Sequence, residues 1–513
     1  MRFTVKPLYQ KGREVLNFHL SLQYGICLKD VEIAKGILYM MKRALIWKLL
    51  ERFGVLGAQF ILQVILARLL APEDYGVLSL MVIFTTLANV FIQNGFNTSL
   101  IQNKDVTEED YSSVFWVSLI IAAIIYGGLY IAAPLIAEFY HMPNLVAPFR
   151  VLCLMLFPGA YNSVQLAKVS RQMDFKKVFY SNVAGIILAG AVGIGVAKAG
   201  GGLWALVIQT ILNTLVACVV MSFTVKWHPR LVINFRRVKV LFSYGWKLLV
   251  SSLMDTLYQN IQSLMIGKKY NADTLAYYDR GKQFPQYGIN AINSAVQSVL
   301  LPAMSAEQDD AAKVKSMTRN SVMMSSYIIF PMMAGLAGIA SSFVKLLLTD
   351  KWLECVPFMQ ICCISFAFYP VYTSNLQAIK AMGQSGIFLK IEIIKKIVGL
   401  VLLVVAVFCF SSPQTIAMTG IISIPVDIII NAYPNKKLIG YSYFEQIKDI
   451  VPSFLLSILM FLIVISMERF GFRTELTLVI QIVVGMAVYI LISAILKLEP
   501  FIKLEKSIAN FRK

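Results

Sequence analysis

Acidic residues and histidine are scarce. The 513 residues hold 28 Asp and Glu against 47 Lys and Arg, with only three histidines. His19, His141 and His228 are far apart and no H-E-x-x-H occurs, so nothing points to metal-assisted hydrolysis. Cys27, Cys153, Cys218, Cys355, Cys362, Cys363 and Cys409 form no C-x-x-C pair, and all but Cys27 lie in or beside apolar segments. They read as small buried apolar side chains, neither a disulfide framework nor a zinc site. No Gly-rich phosphate loop ending in Lys-Ser or Lys-Thr is present, which argues against direct ATP drive. No cofactor is expected. Charged residues make up 15% of the chain, well under the about 25% of a soluble domain.

What is abundant is apolar. Hydrophobic residues reach 58% and the mean hydropathy is +0.69. One soluble core stops growing near roughly 250–300 residues, so this much apolar surface needs lipid as its solvent. A soluble enzyme, a nucleic-acid binder and a secreted disulfide scaffold are excluded together. At roughly 20 residues per span, the composition predicts a polytopic all-α membrane protein. Fourteen apolar segments can be read, at 45–70, 77–93, 113–136, 146–167, 179–197, 203–225, 245–266, 285–302, 321–345, 353–379, 387–410, 415–434, 451–467 and 476–496. The eighth is the weakest, because Asn290, Asn293, Ser294 and Gln297 make it amphipathic. No loop is long enough for a soluble catalytic domain.

The net charge of +19 then reads as positive-inside bias. With both termini placed in the cytoplasm, roughly threefold more Lys and Arg fall on that side than on the other. Two loops resist. Segment 94–112 is assigned inside yet carries Asp105, Glu108, Glu109 and Asp110; segment 267–284 is assigned outside yet carries Lys268, Lys269, Arg280 and Lys282. Trp47, Trp116, Trp204, Trp227, Trp246 and Trp352 all fall near span ends, as an aromatic belt would.

Residues 1–39 have no apolar run, and Met40-Met41-Lys42-Arg43 leads straight into the first span. This stretch is expected to be a dispensable cytoplasmic extension or an upstream-misplaced start. Leu231–Ser243 sets Arg236, Arg237 and Lys239 against Leu231, Val232, Phe235, Val238 and Phe242, the pattern of an interfacial helix. A weak repeat relates Ala67-Arg68-Leu69-Leu70-Ala71-Pro72-Glu73-Asp74-Tyr75-Gly76 to the Gly267–Tyr277 stretch. The expected organisation is a first six-helix lobe over 40–225, a linker over 226–244, a second six-helix lobe over 245–434, and a C-terminal helix pair and tail over 435–513. A parallel repeat of this kind places a substrate site between its halves.

Five stretches carry a family resemblance. Glu51–Phe60 followed by Ala67–Gly76 resembles the opening of the polysaccharide transporters, the Wzx-type flippases of the superfamily that also holds multidrug exporters. Gly95-Phe96-Asn97-Thr98-Ser99-Leu100-Ile101-Gln102, Gly202-Leu203-Trp204-Ala205-Leu206-Val207 and Val299-Leu300-Leu301-Pro302-Ala303 resemble that family's second-span exit, sixth-span start and eighth-span exit. The resemblance implies fourteen helices in two lobes around a central cavity. It implies transport of undecaprenyl-diphosphate-linked oligosaccharide units for exopolysaccharide, capsule or O-antigen across the bacterial inner membrane by alternating access. Partners implied are that substrate, membrane lipids, and a polysaccharide polymerase with its chain-length machinery, not nucleic acid.

Charges inside spans mark function unless they pair or snorkel. Lys48, Arg52, Arg68, Arg150, Lys247, Lys395 and Lys396 are basic; Glu51, Asp255, Glu392 and Asp427 are acidic. Arg68 and Arg150 sit near span ends and can snorkel. Arg52 lies about 12 Å into its span at 1.5 Å per residue, and Lys395 and Lys396 about as deep. Glu392 precedes Lys395 and Lys396 by three and four residues, the spacing that lets helical side chains meet. The candidate substrate site is Arg52, Lys48, Lys247, Asp255, Tyr258, Asn260, Lys395 and Lys396, with Gln59, Gln63 and Asn375 as further sugar-binding amides. Asp255, Glu392 and Asp427 are the candidate ion carriers. Surplus cations suit a diphosphate; the alternative function is a multidrug or other small-molecule exporter of the same superfamily, and an exporter of hydrophobic cations would need an acidic cavity. A membrane polymerase would need a long outer loop, which is missing.

Overall fold

A computed structural model describes Trp47, Leu50, residues 54–103 and residues 105–511. Among these residues the chain is helical throughout, with no strand. The helices at the expected spans are α1 (Gly54–Leu69), α2 (Pro72–Gln102), α3 (Glu108–Phe139), α4 (Pro143–Gln172), α5 (Phe175–Lys198), α6 (Leu203–Val225), α7 (Phe235–Lys269), α8 (Ala272–Ala306), α9 (Ala311–Gly338), α10 (Asp350–Ala381), α11 (Ser385–Cys409), α12 (Pro413–Leu438), α13 (Tyr443–Phe470) and α14 (Thr474–Ile495). Ten of these are long and apolar enough to cross a membrane. The other four, α1, α7, α8 and α11, occupy expected spans, but α1 is short within the described residues and the rest carry charges. A short amphipathic helix, Glu499–Phe511, follows α14.

The chain divides into two compact units. Among the described residues, unit 1 holds Met81–Glu138 and Pro143–Leu257 together with those before Leu70; unit 2 holds Leu70–Leu80, Phe139–Met142 and those from Tyr258 onward. In unit 1, α5 and α6 approach closely because glycine faces the contact. A Cβ on Gly185 would lie 2.8 Å from the Asn213 carbonyl, and one on Gly193 2.8 Å from Gln209 Cβ. Without a hydrophobic drive between helices in lipid, such close backbone contact is what holds a pair together.

The acidic segment that resisted the inside assignment is neutralised where it stands. Asp110 is buried and takes a two-pronged hydrogen bond from Arg237, Nε at 2.8 Å and Nη2 at 2.6 Å. It also accepts from the Thr107 backbone N–H at 2.9 Å, closing a cap on α3. Lys168 meets Glu108 at 2.6 Å. Arg237 thus belongs to a specific pair, although it lies on the amphipathic stretch read as interfacial. Phe235–Ser243 forms the first turns of α7, continuous with the span.

The basic segment read as the outer loop 267–284 is instead mostly helix, with only Tyr270 and Asn271 between α7 and α8. Its charges lower the hydropathy, but each is matched internally. Lys268 donates to the Phe139 carbonyl, and Lys269 to the carbonyls of Val407 and Phe410. Lys282 donates to the Gln259 carbonyl at 3.0 Å. Arg280 is buried, over the rings of Tyr75 at 4.5 Å and Trp352 at 5.3 Å, with Gln283 at 2.7 Å. Apart from the Gln259 carbonyl, which lies within α7, these are helix-end carbonyls and aromatic faces, which attract cations irrespective of membrane side.

Two tryptophans leave the belt. Trp352 is fully buried against Tyr75 and Tyr277, and Trp227 packs in the unit 1 core with Tyr111, Phe115 and Tyr161. Trp204 and Trp246 remain exposed, as a belt requires. Arg150 donates to the Tyr130 carbonyl at 3.2 Å and covers the Tyr130 ring at 4.1 Å. Cys27 lies outside the described residues; of the other six cysteines, five are buried and Cys409 is exposed, all unpaired.

Candidate substrate site

Lys48, Arg52 and Glu51 lie outside the described residues. Lys247 and Asp255 belong to unit 1, where Lys247 is exposed and Asp255 is half-buried and engaged by a neighbour. The remaining candidates belong to unit 2, and most of them converge there.

The organising element is α11. Its first turns are charged and its remainder is apolar. Ile393, Ile394, Ile397, Leu400, Val401 and Val404 are exposed and form one continuous apolar face. Glu392, Lys395, Lys396 and Gly399 recur on the opposite side at helical spacing, and all are half-buried. Glu392 and Lys395 pair at 2.5 Å, with side-chain exposures of 28% and 17%.

One turn further, α7 crosses α11 at its least bulky point. The Tyr258 hydroxyl sits where a Cβ on Gly399 would be, 2.1 Å from that position. Only glycine admits the phenol there. On α10, Tyr369 and Tyr372 meet edge to face with ring centroids 6.4 Å apart, and the Tyr372 hydroxyl is buried with no hydrogen-bond partner. On α12, Asp427 accepts a hydrogen bond from Ser423, and its carboxylate lies within electrostatic range of both Lys395 and Glu392. Tyr258 and Tyr369 lie in the fields of Asp427 and Glu392, and Tyr372 in that of Asp427. Lys380 sits over Phe388 at 4.3 Å, within range of Glu392 and Lys395.

The site is therefore one lysine placed between two carboxylates, beside three tyrosines from two helices. Tyrosine offers both an apolar ring for a sugar face and a hydroxyl for its polar edge. A phosphate reaching Lys395 would compete with Glu392 for the same donor. The Tyr369–Tyr372 pair and Gly399 were not singled out in the sequence. The i, i+3 tyrosines were a visible signal, but the role of Gly399 depends on a partner more than a hundred positions away.

Asn260 is half-buried on α7 and engaged by a neighbour. Asn375 is not a sugar ligand. It is fully buried, donates to the Val371 carbonyl at 2.8 Å and to Gln446 Oε1 at 2.8 Å, and accepts from Asn435 at 2.6 Å. An amide in lipid is satisfied by its own fold before it is offered to a ligand.

No group of three His, Cys, Asp or Glu side chains that could hold a metal ion occurs among the described residues.

Comparison with known proteins agrees with this architecture. The chain is 24% identical to the teichuronic acid biosynthesis protein TuaB of Bacillus subtilis, covering 79% of this chain and 85% of that one. It is 21% identical to the lipopolysaccharide biosynthesis protein WzxC of Escherichia coli, covering 79% and 81% respectively. Among solved structures, an inward closed conformation of the lipid II flippase MurJ superposes with a TM-score of 0.68 at 16% identity, over 88% of this chain and 98% of that one. An inward-facing multidrug resistance transporter of the MATE family superposes at 0.58 with 14% identity, over 74% and 95%. At such identities the superpositions establish the fold. The sequence model of a family described as polysaccharide biosynthesis protein matches residues 65–357. That span is more than half of this multi-pass membrane protein, and the chain belongs to the polysaccharide biosynthesis protein family.

Proposed function

We propose that the chain carries undecaprenyl-diphosphate-linked oligosaccharide units across the bacterial inner membrane by alternating access, for assembly of a surface polysaccharide. The observation that carries this reading is the charge balance around α11. Lys380 and Lys395 lie within range of Glu392, Lys395 also lies within range of Asp427, and Lys396 is half-buried beside them, next to a tyrosine cluster. An anionic head with a sugar chain matches that set; a hydrophobic cation does not. Lys395 and Lys396 are the phosphate ligands in unit 2, and Tyr258 and Asn260 the sugar ligands. Lys48, Arg52, Lys247 and Asp255 are further substrate ligands in this reading. When phosphate takes Lys395, Glu392 and Asp427 lose their counter-charge and need a proton or sodium ion, which makes them, with Asp255, the coupling carriers. The chain is a carrier and not an enzyme, and a polysaccharide polymerase with its chain-length machinery consumes what it delivers.

Cells deprived of this chain should lose the surface polymer and accumulate the lipid-linked repeat unit in the cytoplasmic leaflet. Mass spectrometry of the lipid extract, with leaflet assignment by a membrane-impermeant sugar-labelling reagent, measures this. Normal polymer with no accumulated precursor would refute the reading. Both termini are placed in the cytoplasm. A reporter active only in the periplasm and fused after Lys513 should therefore stay silent, and a strong signal would invert the topology.

A further inference from the structure

Within unit 1, one face of α2 is polar although the helix is apolar as a whole. Thr86, Asn89, Gln93 and Asn97 recur at i, i+3, i+7 and i+11, the repeat of a single helical face. Thr86 is exposed and the three amides are half-buried. They lie inside a helix long and apolar enough to cross a membrane. Uncharged polar groups in such a helix face water or a partner, because hydrocarbon cannot satisfy them. The ionised side chains of α2 are Glu73 and Asp74, both in its first turn and far from this face.

The neighbouring helix α4 shows which of these amides the fold itself consumes. Ser163 donates to Asn97 Oδ1 at 2.8 Å, so Asn97 serves the helix pair. One turn before Ser163, Gly159 leaves room for Asn89, since a Cβ there would stand 3.2 Å from Asn89 Oδ1. Gln93 donates to that same oxygen across one turn of α2, at 3.4 Å, longer than an ordinary N–H···O bond. The bond leaves the amide donors of Asn89 and the carbonyl oxygen of Gln93 to a further partner. Asn97 is thus glue between helices, whereas Asn89 and Gln93 are more than glue.

We propose that Asn89 and Gln93, extended by Thr86, form a ladder on α2 that binds the hydroxyls of the oligosaccharide and determines which sugars the chain accepts. The proposal deepens the transport reading above and rests on it. Each sugar hydroxyl both donates and accepts, and a carboxamide answers with a donor group and an acceptor. A face without carboxylate or cation suits neither a metal ion nor a phosphate. From Thr86 to Gln93 the ladder runs about 10 Å at 1.5 Å per residue, so it reaches past a single sugar ring. Neutral hydrogen bonds are individually weak, so several hold the sugar and no ion pair has to break for its release.

The test compares two ligands on the purified full chain: the lipid-linked repeat unit extracted from cells deprived of the chain, and undecaprenyl diphosphate without sugar. Asn89→Leu with Gln93→Met removes both members of the 3.4 Å bond with little change of volume and strands neither partner. Native mass spectrometry should show the repeat unit bound at least tenfold more weakly by this variant, and undecaprenyl diphosphate bound as by the parent. Its melting temperature in detergent should not fall. Unchanged affinity for the repeat unit, or an equal loss of both ligands, would overturn the ladder. If the double variant melts below the parent, Gln93→Met alone decides by the same comparison, with about a fivefold loss expected for the sugar-bearing lipid only. A parent chain that binds neither lipid would instead overturn the transport reading, so the two failures are told apart.

Discussion

Lys395→Ala should lower transport about tenfold, the loss of one charge-assisted hydrogen bond worth roughly 1.5 kcal/mol. The difficulty is that Lys395 also balances Glu392 at 2.5 Å. Removing one member of a fully buried pair costs about 3–5 kcal/mol, and less here because both side chains keep some exposure. A fall in activity could therefore be a fall in folded protein. The double variant Lys395→Ala/Glu392→Gln separates the two effects. It removes the stranded carboxylate, so abundance in the membrane should return to that of the parent. If Lys395 holds phosphate, transport stays low in the double variant. If transport recovers along with abundance, the lysine serves only its helix neighbour, and the anion site on α11 is wrong.

Gly399→Ala should destabilise unit 2 by about 1–3 kcal/mol, the usual cost of overpacking, and Tyr258→Phe should rescue it. The added methyl collides with the Tyr258 hydroxyl, whereas the ring carbon bearing it is 3.2 Å from the same position. Deleting the hydroxyl turns an overlap into a tight contact. Thermal stability in detergent for the four members of this cycle gives the coupling directly. Additive effects would mean that Tyr258 does not cross α11 at Gly399. Tyr258→Phe alone then becomes informative about chemistry: it should keep the fold and weaken transport only if the hydroxyl meets the sugar.

The sequence showed some of this. The Glu392–Lys395 pair was readable because both members sit on one helix at a fixed spacing. The polytopic all-helical class was readable because nothing but lipid can solvate so apolar a chain. What the sequence hid has a single physical cause, partners supplied from distant helices. Arg280 and Lys282 looked like loop residues because hydropathy charges each cation its full cost. The ring of Tyr75 and the carbonyl of Gln259 had already met that cost from elsewhere. Trp352 stood at a span end, as headgroup tryptophans do, yet its indole fills a core between Tyr75 and Tyr277. Asn375 looked like a sugar ligand because its two amide partners lie 60 and 71 positions away.

Those three carboxamides also dictate an order of events during synthesis. Asn375 enters the bilayer on α10, long before Asn435 on α12 or Gln446 on α13 has left the ribosome. Each amide arriving alone in hydrocarbon lacks the partners that the finished protein supplies. Asn375 can back-bond to its own helix at Val371 while it waits. Asn435 then joins it at 2.6 Å, and Gln446 closes the triad, accepting from Asn375 at 2.8 Å and donating to it at 3.0 Å. A nascent chain halted after α12 would hold a two-member network with one side still open. The helix pair α13–α14 is thus the last piece of the second half to assemble, and a ribosome stalled before Gln446 should leave a chain that membrane proteases recognise as unfinished.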